Sequence, residues 1–291
     1  MSSIMSSAID NLKVKIQYFM PKILLSRAIG KIASSELGFL TTFLIKTFIK
    51  HYNVNMKDAK IKDPKRYKTF NDFFTRVLRD GIRPIDTNPD SLIHPADGAI
   101  SQYGKIYKDA ILQAKGHYYS LETLVGGNPN DAKDFEDGSF ITTYLSPGDY
   151  HRVHMPLTGK LEKMIFVPGD LFSVNPLTAK NIDNLFARNE RVICFFNNER
   201  VGRFAVVMVG ATIVASISTV FAGIVAPKPI RKIYSYDYSK DDIVLKKGEE
   251  LGRFLLGSTT ICLFEKNKIS FNENLIPTMK VKVGENLGKI K

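Results

Sequence analysis

Three short segments of this 291-residue chain carry side chains that can move protons or attack a carbonyl. His94-Pro95-Ala96-Asp97-Gly98 supplies a carboxylate, Tyr150-His151-Arg152-Val153-His154 supplies two imidazoles three residues apart, and Leu256-Gly257-Ser258-Thr259 supplies a hydroxyl. Asp97, His154 and Ser258 are the types of an acid–base–nucleophile set. A hydroxyl becomes a nucleophile when an imidazole takes its proton and a carboxylate steadies the resulting cation. Each segment also has a plainer reading. Asp-Gly pairs commonly mark turns, Gly-Ser commonly precedes a strand, and any chain this long offers such triples by composition alone. Two histidines at i and i+3 also suit a metal, but neither an adjacent Glu nor a two-Cys partner completes a ligand set, so no metal is expected. Ser258 lacks the Gly-x-Ser-x-Gly setting of a nucleophile elbow, which argues against a hydrolase of that type.

The elements that must position these residues differ along the chain. Residues 10–50 carry apolar side chains at helical spacing. Pro21 suits a first turn; Leu24, Leu25, Ile29, Ile32 and Ala33 follow on one face, with Lys22, Arg27 and Lys31 interleaved. Leu40, Phe43, Leu44 and Phe48 make a second helical face. The longest uncharged run, 37–45, is far short of the roughly 20 residues that span a bilayer. Two placements follow: a helical pair packed on the protein's own core, or helices lying in a membrane interface with their basic residues on anionic headgroups. Residues 53–66 read as a polar linker. Helical spacing resumes at Phe70 and runs to Leu78, stopping at Gly81 and Arg83-Pro84. From about residue 92 the segments become short, β-branched and punctuated by Gly, Pro and Asn, with strands expected at 140–144, 191–196, 204–209, 212–217, 259–264 and 279–283. The expected fold class is α+β: N-terminal amphipathic helices over 1–64, then a β-rich catalytic domain over 65–291.

The net charge of +12 favours an anionic partner, nucleic acid or membrane. Half of the excess lies in residues 1–60, which hold nine Lys/Arg and three Asp/Glu, and no nucleic-acid motif appears. Cys194 and Cys262 sit in apolar runs and read as buried free thiols, as in a reducing compartment. Lys13, Lys15, Lys22 and Arg27 interrupt the early apolar runs, so no secretory signal is expected.

Taken together, the His-Pro-Ala-Asp-Gly, Tyr-His-Arg-Val-His-Met-Pro and Leu-Gly-Ser-Thr segments resemble the bacterial phosphatidylserine decarboxylases. So do 167–176 (Val-Pro-Gly-Asp-Leu-Phe-Ser-Val-Asn-Pro), 184–192, Val209-Gly210-Ala211-Thr212, Phe73-Phe74-Thr75-Arg76 and Arg83-Pro84-Ile85. The similarity runs from about residue 65 to 265, with a looser match before it.

The resemblance implies a chain that cuts itself between Gly257 and Ser258 into 1–257 and 258–291. The two pieces would stay together as a heterodimer, open to further dimerisation. Asp97 and His154 would form a charge relay with Ser258, whose Oγ attacks the Gly257 carbonyl. Elimination and loss of ammonia would leave a covalently bound pyruvoyl group at 258 as the cofactor. This group would condense with the amine of phosphatidylserine and draw off the electrons released with CO₂, giving phosphatidylethanolamine. His151 would deliver a proton to the former α-carbon, and Ser173 and Asn175 would line the headgroup site. A peripheral position on the cytoplasmic side of the cell membrane, against an anionic membrane surface, completes the expectation. A pyruvoyl decarboxylase for a soluble amino acid would have no use for the basic amphipathic N-terminus.

Overall fold

A computed structural model describes residues 10, 12, 14–212, 216–228, 231–255 and 258–291. Helix α1 (Lys22–Ser34) starts behind Pro21. Helix α2 (Phe39–Tyr52) starts behind Gly38, at φ 56°, and ends on Asn53 in the left-handed region, which a short polar side chain tolerates. The two helices bury Ser26 and Ala33, and Thr41 and Ile45, respectively. Their other faces leave Leu24, Ile32, Phe39, Leu40 and Phe43 exposed, Phe39 at 86%. Among the described residues no single helix is long and apolar enough to cross a membrane; α1 and α2 reach that length and composition only as a pair bent by 114°. Lys22 departs from the expected basic stripe. It is buried, donates to the Gln17 carbonyl (2.6 Å) and lies 4.0 Å from the Phe172 ring centroid, and burial lowers its pKa.

The stretch expected to be a linker is packed. Val54 and Ala59 are buried. The Lys60 N–H donates to Val77 O (2.8 Å) and the Arg79 N–H to Asp58 O (2.8 Å). This pairing also corrects the helix expected to continue to Leu78. Helix α3 (Phe70–Phe74), opened by a Thr69/Asp72 capping box, stops after five residues because the chain beyond Thr75 turns to bond with 58–60.

The strands that matter for the site are β1 (Gly98–Lys105), β2 (Ser139–Leu145), β3 (Arg152–His154), β4 (Gly159–Val167), β5 (Arg191–Asn198), β6 (Gly202–Val209), β7 (Glu250–Phe254) and β8 (Ser258–Phe264). Among the described residues, nine strands form one antiparallel sheet in the order Tyr234–Asp237, β4, β5, β6, β8, β2, β1, Lys280–Val281, with Val244–Leu245 also on β4. A second sheet runs Gly223–Ala226, Ile217–Thr219, β7, β3. The large sheet is covered on both faces, so its central strands β6 and β8 are buried along almost their whole length. Alternation sends Ile261 and Leu263 of β8 into one core, with Phe73, Phe74 and Phe195. It sends Cys262 and Phe264 into the other, with Phe196 and Phe204. Both cysteines are free and buried, which pushes their thiols up.

The helices-then-strands reading holds, and the strands expected at 140–144, 191–196, 204–209 and 259–264 are present and slightly longer. The segment 279–283 keeps only Lys280–Val281. Residues 213–215, within the strand expected at 212–217, lie outside the described residues.

Candidate active site

Two crossings between the sheets build the site. Strand β2 ends at Leu145, which pairs with Ser258, the first residue of β8. The chain then turns, with the Asp149 carboxylate accepting from the N–H and hydroxyl of Ser146 (2.7 and 2.6 Å). It passes Tyr150 and His151 and enters the second sheet as β3. Strand β7 pairs with β3 and leads back: the Phe254 N–H donates to the His151 carbonyl (3.0 Å), and four residues later the chain stands at Ser258. Gly257, the other half of the expected cleavage bond, lies outside the described residues. Asp97 immediately precedes β1, whose Ala99 pairs with Tyr144 of β2. Gly98 is required there, because a Cβ would collide with the Tyr144 carbonyl oxygen. The His154 N–H donates to Pro95 O (2.7 Å), bringing the Asp97 and His154 segments side by side.

The side chains are arranged differently from a linear triad. Asp97 is buried and receives Arg83, from Nε (3.0 Å) and Nη2 (2.5 Å), and the Val283 N–H (2.9 Å). His154 is oriented instead by the Gly248 carbonyl, 2.8 Å from Nδ1. A carbonyl only accepts, so Nδ1 carries the proton and Nε2 is left as the basic lone pair, 3.2 Å from the Tyr150 hydroxyl. Burial lowers the His154 pKa. Its bond to Gly248 and the charges of Glu250 and Asp97 act the other way. Burial also pushes the Tyr150 phenol up to about 12.

His151 is fully buried with its ring 4.0 Å from that of Phe74. Its Nδ1–H donates to Asp149 O (2.9 Å), and its Nε2 has no partner among the described residues. Burial first, and Arg76 second, lower its pKa to about 3. The Ser258 hydroxyl is likewise buried, with no hydrogen-bond partner among the described residues. Arg76 donates from Nη2 to the carbonyls of Gly148 (3.0 Å) and Asp149 (3.2 Å). The turn it clamps abuts α2, since a Cβ at Gly148 would stand 2.9 Å from Tyr52 O.

Comparison with known proteins shows the family. Residues 70–289 match the family model described as phosphatidylserine decarboxylase, and residues 12–53 match a second model, PSD. A phosphatidylserine decarboxylase proenzyme of Shewanella sediminis is 53% identical over 286 residues, covering 97% of this chain and 99% of the relative. The proenzymes of Psychromonas ingrahamii and Vibrio campbellii are 56% and 55% identical, covering 95% and 91% of this chain and 96% and 94% of their own lengths. The chain belongs to the phosphatidylserine decarboxylase family. As a member of the phosphatidylserine decarboxylases it is an enzyme, a carboxy-lyase.

The two residues expected at the headgroup site have other partners. Asn175 caps the helix Pro176–Asn181, its Oδ1 accepting from the Thr178 N–H (3.0 Å), and the Ser173 N–H donates to Gln17 Oε1 (3.1 Å). No hydrogen bond joins either to Asp97, His151, His154 or Ser258 among the described residues. Sequence reasoning assigned no role to Arg76, Arg83, Tyr150 or Gly248. The first three stand inside segments that carried the family likeness, which was their available signal. Gly248 contributes only a carbonyl, which no side-chain pattern marks.

Proposed function

We propose that the chain matures by cutting itself before Ser258 and then decarboxylates phosphatidylserine to phosphatidylethanolamine at a membrane surface. The observation that carries this reading is the placement of the buried Ser258 at the first residue of β8, where the crossings bearing His151 and His154 meet. His154 Nε2 takes the Oγ proton while Oγ bonds to the carbonyl carbon of Gly257. The C–N bond breaks, the amide nitrogen takes up a proton, and the amide becomes an ester. Asp97 steadies the imidazolium through space, Gly248 O fixes its tautomer, and Arg83 anchors Asp97. Loss of the α-proton of residue 258 then expels the Gly257 carboxylate, and hydrolysis releases ammonia.

The residues present fit a pyruvoyl group at 258, the position of the orphaned hydroxyl. That group, once formed, is the electron sink for decarboxylation. His151, with Nδ1–H tied to Asp149 O, offers Nε2 to accept the proton of the substrate ammonium and return it to the α-carbon after CO₂ departs. The exposed apolar faces of α1 and α2 support membrane docking, and α2 ends against the turn that carries Tyr150 and His151. On this reading the protein acts as a peripheral, two-chain unit on the cytoplasmic side of the cell membrane, open to further dimerisation. The test is release of CO₂ from carboxyl-labelled phosphatidylserine vesicles. Release should occur and should stop after treatment with phenylhydrazine, which traps carbonyl groups; release untouched by that reagent contradicts the assigned cofactor.

A further inference from the structure

Arg76 is a buried cation whose donors are only partly used. It is 4% exposed, and its Nε and Nη1 are buried with no acceptor among the described residues. Unmet donors on a buried guanidinium cost free energy that a bound anion recovers. Arg76 lines a cavity of about 320 Å³ together with Arg83, Asp97, Gly98, Tyr150 and Lys280. The acidic groups around this cavity are already engaged. Arg83 holds Asp97 and Asp58, Ser146 holds Asp149, and the Lys282 N–H donates to Glu285. The cavity also adjoins the reacting residues. Asp149 O accepts from both Arg76 Nη2 and His151 Nδ1–H. Gly98 on its wall leads into the Ala99–Tyr144 pair, next to Leu145–Ser258, so wall and serine are about two strand spacings, or roughly 10 Å, apart.

We propose that Arg76 binds the phosphodiester of the lipid headgroup, an assignment that rests on the function proposed above. Phosphatidylserine carries two anions. The carboxylate loses its charge as CO₂ forms, so a fixed cation on it would stabilise the starting state more than the transition state. The phosphodiester keeps its charge throughout, and a guanidinium holds it without that penalty. An anion on Arg76 also offsets the positive charge that opposes protonation of His151. Substrate arrival thereby helps His151 to hold the proton it later delivers.

The test uses mature protein already shown to release CO₂ from phosphatidylserine, so failure of the functional reading is detected first and separately. The probe is glycerophosphoethanolamine, which has the phosphodiester but neither carboxylate nor acyl chains. It should compete with substrate on the wild type. Arg76→Gln should weaken that inhibition about tenfold or more and raise KM by a similar factor, with a smaller change in kcat; Arg76→Lys should recover part of the loss. No inhibition of the wild type, or equal inhibition of wild type and Arg76→Gln, overturns the proposal. If Arg76→Gln does not mature, the comparison moves to uncleaved Ser258→Ala protein with and without Arg76→Lys, titrated calorimetrically with the same probe. Equal binding by those two overturns it as well.

Discussion

His154 faces charges of both signs: Glu250 and Asp97 favour its cation, while burial and Arg152 oppose it. His151 faces Arg76, which works with burial against the cation. The imidazolium that must form when Ser258 loses its proton is therefore better supported at His154, and a proton placed on His151 is readily given up. His154→Ala should slow self-cleavage at least 100-fold. His151→Ala should permit cleavage yet abolish CO₂ release. Cell-free synthesis followed by mass spectrometry, then a decarboxylation assay, reads both steps. Equal defects at one step in the two variants would refute this division of labour. The pH dependence has a definite sign: cleavage needs neutral His154, and burial holds its imidazole below the usual histidine range. The rate should thus be flat through neutral pH and fall about tenfold per unit only in acid. The residue types of this site were legible in three short segments. Their partners were not, because Arg83, Gly248 and Val283 reach Asp97 and His154 from distant parts of the chain.

At the scale of elements, α1 and α2 point apolar side chains outward and keep Arg27, Lys31 and Lys46 exposed beside them. Each such cation near an anionic surface contributes roughly 1 kcal/mol, and each buried Phe or Leu about 1.5–3 kcal/mol that salt does not screen. Charge reversal at Arg27, Lys31 and Lys46 should weaken sedimentation with anionic vesicles at low salt. Phe39→Ser with Phe43→Ser should remove the salt-resistant part. Unchanged vesicle binding in both variants would exclude these helices as the docking face. Lys22 is left out because its ammonium lies on Phe172. Periodicity made the helices and the long central strands readable, since the core demands a repeating pattern. It overran α3, where Val77 and Arg79 pair with 58–60, and it missed the packing of 53–66, whose buried Val54 and Ala59 are too few to show a period.

At the scale of the whole molecule, the chain crosses twice between two sheets, and the two crossings lie side by side. One holds His151 next to the second sheet, and the other brings β7 back to Ser258. This juxtaposition depends on strand order, which alternation along one strand does not encode; motif likeness, not pattern, linked the segments in advance. It also makes one claim central: a single 32.7 kDa chain becomes two at Ser258. The most direct measurement is intact mass of the purified wild type beside Ser258→Ala. The account predicts two wild-type masses, for 1–257 and for 258–291 with an N-terminal pyruvoyl in place of serine, and one full-length mass for the variant. A wild type that stays whole, or a Ser258→Ala protein that still divides at this bond, would contradict it.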